Sequence, residues 1–465
     1  MDKVNTLFAE HALLADGWAR DVLLQWDASG CLVSVATQVA AGDAPRAVGP
    51  VLPGMPNLHS HAFQRAMGGL TEYRGAAKDS FWSWRELMYR FAGAITPDQL
   101  EAIATGLYVE MLEAGYTSVC EFHYVHHDED GRPYADDREL SLRLLKAARN
   151  AGIGLTLLPV LYQSSGFGGQ PPQAGQKRFI RRTEQMLALL ASLYPLCEAQ
   201  GSRLGLAPHS LRAVPPEALQ EAVAGLTALD ATAPVHIHIA EQTAEVDACL
   251  QWSGQRPVQW LLNHLPVDSR WCLVHATHMD AEEYRRAADR GAVAGLCPTT
   301  EANLGDGIFD AGLWRSFGGR WGIGSDSHAT VNAAEELLML EYSQRLSTRQ
   351  RNVLASPGQN WVATSMLLEA VAGGAQASGR RIAGLAVGQQ ADWVILDASH
   401  PLLCGLPTPQ TMLSAHVFAS HRHSAIAEVW VAGHKRVREG QHGLGFSARS
   451  AFNAARSQLL RNTSP

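Results

Sequence analysis

Short apolar runs recur through the middle of the chain, and a longer segment with helical spacing follows each of them. The runs are 51–58, 116–122, 153–161, 203–207, 235–240, 271–275, 292–297 and 321–324. Between them lie stretches such as 98–112, 140–151 and 281–290, whose apolar residues return at the period of an amphipathic helix. Strand alternating with helix predicts parallel strands joined by crossover helices. Eight such units predict an α/β fold, a (β/α)8 TIM barrel with its active site at the C-terminal ends of the strands.

The pattern differs at both ends. Residues 1–50 read as short strands with turns, for example 21–26 and 32–35, and strands return at 387–397 and 426–433. These predict a small β-sandwich domain formed from the N- and C-terminal segments, 1–50 and 385–446. The barrel then spans 51–384, and a C-terminal helix and tail span 447–465. The stretch 62–115 is too long for one helix and predicts an insertion over the barrel mouth. Residues 161–176, rich in Gly, Pro and Gln, read as a long surface loop, with a lid as the other reading. The Gly166-Phe167-Gly168-Gly169 run inside it lacks the spacing and the strand-to-helix setting of a phosphate loop.

With 46% hydrophobic and 18% charged residues among 465, the chain can build a large core, and disorder is excluded as the default. A net charge of −7 leaves no electrostatic footprint for nucleic acid or an anionic membrane. An anionic ligand must therefore be met by a few local arginines. The seven cysteines include no C-x-x-C pair and read as buried free thiols of a reducing compartment. Met1-Asp2-Lys3-Val4-Asn5 does not open a signal peptide, and no apolar run is long enough to span a bilayer. A cytoplasmic protein is expected.

The first run ends in Pro56-Asn57-Leu58-His59-Ser60-His61. Alternate side chains of a strand share a face, so His59 and His61 can grip one ion. Val235-His236-Ile237-His238 and Gly324-Ser325-Asp326 bring His238 and Asp326 to two further strand ends. His59, His61, His238 and Asp326 form an N/O set suited to one divalent metal ion of the Zn²⁺ type, with room for water. Ordinary strand-end residues are the other reading of His238 and Asp326. Glu241, three residues after His238, can carry the proton of such a water, or else serve as a helix N-terminal acid. His275, ending the sixth run, can hold or protonate the water, or else be a buried imidazole. His236 is expected deeper in the barrel, and His328 in a supporting role.

These motifs resemble the deaminase branch of the amidohydrolase superfamily over essentially the whole chain. Gly384-Leu385-Ala386-Val387-Gly388-Gln389-Gln390-Ala391-Asp392 is similar to the element by which those enzymes re-enter their sheet domain. Two-metal members carry a Lys at the end of strand four. The matching Leu204-Gly205-Leu206-Ala207-Pro208-His209-Ser210 has none, which implies a single ion. Longer runs are similar to the formimidoylglutamate deiminases. They are Pro56 through Met67, Ser80 through Arg90, Glu121-Phe122-His123-Tyr124-Val125-His126-His127, Pro208-His209-Ser210-Leu211-Arg212, and Thr300-Glu301-Ala302-Asn303-Leu304-Gly305-Asp306-Gly307. The resemblance implies hydrolysis of N-formimidoyl-L-glutamate to N-formyl-L-glutamate and ammonia, in histidine degradation. It also implies attack by a metal-activated water, proton transfer by Glu241 and His275, and a homodimer. Substrate contacts carry over to Gln64, Arg85, Tyr124, His209 and Arg212. A substrate with two carboxylates suits arginine clamps. An aromatic-base deaminase, of the guanine or S-adenosylhomocysteine type, is the alternative. A binding protein without activity on the same fold is a further one.

Overall fold

The computed structural model of the protein describes residues 4–72, 81–419 and 424–463. Two parallel sheets carry the middle of the chain. One runs Met55–Ser60, Tyr116–His123, Gly154–Leu161 and Arg203–Leu204, with Ala207–Pro208 also on Gly154–Leu161. The other runs Val235–Ile239, Trp271–His275, Val293–Leu296 and Arg320–Ile323. Single parallel bridges join the two at both seams, Leu206 to Val235 and Ser60 to Asp326. Every residue of the Tyr116–His123, Gly154–Leu161, Val235–Ile239 and Trp271–His275 strands is buried. That is why these strands read as continuous apolar runs and not as alternating ones.

The helices between them fall where the periodicity puts them: Pro97–Glu113, Glu139–Ala151 and Ala281–Asp289 stand at the three stretches named above. The first starts on a capping box in which Thr96 and Gln99 each accept the other's backbone N–H. The insertion at 62–115 contains a short 3₁₀ turn, Ala62–Met67, and the helices Phe81–Ala94 and Pro97–Glu113. Ser80, which opens one of the family-like runs, lies outside the described residues.

The two chain ends share one eight-stranded sheet. Its order is Gln441–His442, His434–Arg438, Ile426–Val431, Trp393–Leu396, Val51–Pro53, Asn5–Leu14, Gly17–Trp26, Leu32–Ala36. Its core holds Leu7, Val22, Leu24, Trp26, Val51, Trp393 and Ile395. The Trp26 ring stands edge-on to Trp393 at 5.1 Å and to Trp430 at 5.7 Å. The Gly445–Thr463 helix stands where a C-terminal helix was expected and packs on Pro97–Glu113.

Three expectations about strands are corrected. The run 51–58 is two strands, because Gly54 turns away to give its N–H to Asp392 O. Val51–Pro53 thereby joins the terminal sheet, and only Met55–Ser60 enters the parallel one. The run 203–207 splits at Gly205, where an added Cβ would stand 2.5 Å from Pro234 O. The strand expected over 387–397 is confined to Trp393–Leu396. Ahead of it Gly388, with φ +86°, gives its N–H to Leu32 O and the backbone turns. No described helix is long and apolar enough to cross a membrane. Cys120, Cys197, Cys249, Cys272 and Cys297 are buried thiols, Cys31 is half-buried and Cys404 is exposed.

Candidate active site

His59, His61, His238 and Asp326 meet at the C-terminal ends of the parallel strands, with their ligand atoms within 4.8 Å of one another. His59 Nε2 lies 3.0 Å from His61 Nε2 and 2.9 Å from His238 Nε2. Asp326 Oδ1 is 3.4 Å from both His59 Nε2 and His61 Nε2. His61 Nδ1 donates to Phe122 O at 2.9 Å and His238 Nδ1 donates to His209 O at 3.1 Å. A carbonyl only accepts, so in both rings Nε2 turns a lone pair inward. Burial, more than any neighbour, drives these imidazoles toward their neutral form, His59 down to about 3 and His61 and His238 also downward. Burial opposes ionisation of Asp326, but the imidazoles beside it outweigh that and hold the carboxyl well below the usual range. Inward lone pairs around a carboxylate fit one divalent cation.

Several contacts hold the ligands in place. Asn57 Nδ2 donates to Ser325 Oγ at 2.6 Å, and Asn57 Oδ1 accepts from Ser325 N at 3.1 Å, which ties the first strand to the last. Gly324 permits that approach, since an added Cβ would sit 2.8 Å from His59 N. His328 bridges Ser325 Oγ at 3.0 Å and Ser60 Oγ at 3.2 Å, the supporting position expected of it. His236 lies deeper and donates to Ala377 O at 2.8 Å. Ala240, His275, Ala276, Asp326 and His328 all have φ between +46° and +66°. Left-handed backbone at non-glycine residues is strained, and it clusters at functional sites.

Glu241 and His275 stand beside the four ligands. His275 Nε2 is 3.8 Å from Glu241 Oε1 and 3.8 Å from Asp326 Oδ2. Burial pushes the Glu241 carboxyl up. Burial would push the His275 imidazole down, but Glu241, Glu301 and Asp326 together raise it to about 10. The first-turn acid of the Thr243–Ser253 helix is Glu245, whose Oε2 accepts the Glu241 N–H at 3.1 Å.

Gln64, Arg85, Tyr124, His209 and Arg212 line one cleft together with Glu241, His275 and three of the ligands, His61, His238 and Asp326. Gln64 Nε2 donates to Tyr124 OH at 2.8 Å, while its Oε1 is buried without a partner among the described residues. Arg85 Nε donates to Tyr89 OH at 2.6 Å and its Nη2 to Tyr162 OH at 3.2 Å. Gln176 Nε2 bonds both hydroxyls, at 3.1 and 2.8 Å, so the end of the 161–176 loop helps to place that arginine. The loop is pinned further by Phe167 stacked on Trp252 at 5.4 Å. Arg212 Nε stands 3.9 Å from Glu245 Oε1. Burial, with Arg212 and Arg85 next, keeps His209 neutral by driving it well down.

Trp84, Met88, Tyr89, Tyr162, Phe179 and Leu304 also line the cleft and were missed in the sequence. Trp84, Met88 and Tyr89 share the run of Arg85 at helical spacing, and Tyr162 directly follows a strand end, which were usable signals. Phe179 carried none.

A model of the amidohydrolase family matches residues 51–436. The chain belongs to the amidohydrolase family. A second model, described as the N-terminal domain of formimidoylglutamate deiminase HutF, matches residues 4–47. The formimidoylglutamate deiminase of Pseudomonas aeruginosa is 53% identical over 98% of this chain and 100% of its own. An 8-oxoguanine deaminase of the same organism is 27% identical over 90% of this chain and 88% of its own. Among solved structures, an amidohydrolase from Brucella melitensis superposes with a TM-score of 0.92 at 49% identity, covering 98% of this chain and 100% of that one.

Proposed function

We infer that the protein hydrolyses N-formimidoyl-L-glutamate to N-formyl-L-glutamate and ammonia, as a step of histidine degradation. The observation that carries this reading is one cleft that holds both a buried His/His/His/Asp centre and two arginines, Arg85 and Arg212. A nucleobase has no carboxylates for those guanidinium groups to meet. The 53% identity to a formimidoylglutamate deiminase supports the same substrate.

When bound by His59, His61, His238 and Asp326, one divalent ion, Zn²⁺ in this reading, supplies the Lewis acidity that makes a water nucleophilic near neutral pH. Glu241 takes a proton from the attacking water and passes it to the imino nitrogen, and the hydroxyl proton left on the tetrahedral adduct follows as the C–N bond breaks, so both protons of the water end on the departing nitrogen. His275, facing the same spot through Nε2, holds the water and steadies the tetrahedral adduct. The former imino nitrogen leaves as ammonia, and the C–N bond to the glutamate nitrogen stays intact. Arg85 and Arg212 hold the two carboxylates. Gln64 Oε1, with its buried lone pairs open, accepts from the amidine, and Tyr124 and His209 complete the wall.

The wider architecture belongs to the same reading. The two parallel sheets form one (β/α)8 barrel over 55–384, closed at the two bridged seams. The terminal strands of 1–50 and 385–446 double over as a small β-sandwich, followed by a helix and tail over 447–465. The buried thiols suit a reducing compartment, and we place the enzyme in the cytoplasm. It acts there as a homodimer, which would sediment at twice the 50.3 kDa chain mass.

The test is ammonia release by metal-replete protein from N-formimidoyl-L-glutamate, 8-oxoguanine, guanine and S-adenosylhomocysteine side by side. Turnover of a base in preference to the formimidoyl substrate would overturn the assignment. Elemental analysis finding two ions per chain, or none, would overturn the single-ion centre.

A further inference from the structure

The Pro298–Leu304 helix carries one acid with no task in the reaction so far, Glu301, which is only 5% exposed. Its Oε1 accepts the Cys297 backbone N–H at 2.8 Å and stands 3.3 Å from His275 Nδ1. The opposite nitrogen of that ring, Nε2, faces Glu241 and Asp326. One edge of His275 is thus engaged by a carboxylate, and the other looks into the cleft. An ionised carboxylate only accepts, so Nδ1 must carry the proton. The Cys297 N–H in turn anchors Glu301. His275 also needs anchoring, since its φ of +66° is a conformation that its surroundings must hold.

His275, Cys297 and Glu301 also have the composition of a metal site. Two features oppose that use. Glu301 Oε1 is already committed to the Cys297 N–H and the ring. Burial above all, with Asp326, Glu301 and Glu336 adding to it, drives the Cys297 thiol well upward, away from the thiolate a metal needs. The cluster is a hydrogen-bond relay.

We propose that Glu301 is a positioning residue of the reaction: it locks His275 with Nδ1–H toward itself and Nε2 toward the reacting amidine. Without that acceptor the ring is free to turn or to take the other tautomer. The proposal rests on the role given to His275 above, in which Nε2 holds the attacking water.

The test uses full-length, metal-loaded protein. Nitrogen-15 spectra of labelled histidines, with His275→Asn to assign the signal, should show a protonated Nδ1 on His275 without any substrate. Glu301→Leu keeps most of the bulk and removes the acceptor. It should lower kcat about a hundredfold while KM stays within about threefold, the pattern of an interaction made in the transition state. Metal content should stay at one ion per chain. An unprotonated Nδ1 in the wild type would overturn the proposal even if the variant failed to fold. So would an unchanged kcat, or a loss of metal and a rise of KM that track the fall in kcat. If the wild type ignores formimidoylglutamate but Nδ1 is protonated, the substrate assignment falls and the His275–Glu301 relay stands.

Discussion

The C-terminal ends of the parallel strands and the terminal sheet are both tightly buried, yet they treat polar groups in opposite ways. In the terminal sheet the indole of Trp26 packs on Trp393 and Trp430, and the buried acid Asp392 is tied down by the Ala432 N–H at 2.7 Å. At the strand ends, imidazoles and carboxylates face one another across open sides, on backbone held at positive φ. Leaving a buried polar group unsatisfied costs about 1–3 kcal/mol. Such groups persist where a ligand or a proton completes them. The terminal sheet is not fully closed either, since Asp392 Oδ2 and Trp393 Nε1 are buried without a hydrogen-bond partner among the described residues, but such atoms stand singly there beside packed rings. At the strand ends the polar groups gather around one centre, and that region contributes chemistry.

Substitutions can sharpen or break that contrast. The largest effect is expected at the ligands. His59→Ala or Asp326→Ala should lose the bound ion and, with it, activity by on the order of a thousandfold or more, since the ion supplies the nucleophile. Elemental analysis and ammonia release read both, and a variant that keeps activity without metal would break the assignment. Glu241→Gln comes next. Activity should fall at least about a hundredfold, the scale of general acid–base catalysis, with metal content unchanged. A near-normal kcat would remove Glu241 from the proton path.

Arg212→Met should cut kcat/KM by roughly thirtyfold or more, because losing one partner of a desolvated ion pair costs about 2–5 kcal/mol and each ~1.4 kcal/mol is tenfold. The loss should shrink on a formimidoyl amino acid that lacks the carboxylate this arginine meets. Equal losses on both substrates would count against the clamp.

The smallest effect is expected in the terminal sheet. Burial pushes the Asp392 carboxyl from 3.8 up to about 6, although the Ala432 N–H and nearby guanidinium groups work against it. Between those values the folded protein keeps a proton that the unfolded chain has released. Stability should therefore fall as pH rises through that window and level off above it. Asp392→Asn should remove a slope of up to ~1.4 kcal/mol per pH unit in urea unfolding, with kcat unchanged. Parallel wild-type and variant curves would show that Asp392 does not titrate there.

Much of this was legible in the chain because it is local. A strand buried on both faces writes itself as an apolar run, and an amphipathic helix writes its period. The His-x-His pair at 59 and 61 shows its shared purpose through spacing alone. Gln64, Arg85, Tyr124, His209 and Arg212 were named through family likeness, and the fold brings them to one cleft with the ligands. What stayed hidden is contact between residues far apart in sequence. Gln176 reaches Tyr89 across 87 positions, and Glu301 reaches His275 across 26. No periodicity records such pairs.

The sequence by itself determined the alternation of strand and helix, the residue types at each strand end and the absence of a Lys beside His209. Those follow from burial and side-chain chemistry, which act over a few residues. Only the tertiary structure decided that Gly54 hands Val51–Pro53 to the terminal sheet, that Gln176 places the tyrosines around Arg85, and that Glu301 stands behind His275. Each depends on where separate segments come to rest against one another, and that is set by the packing of the whole core rather than by any stretch of it.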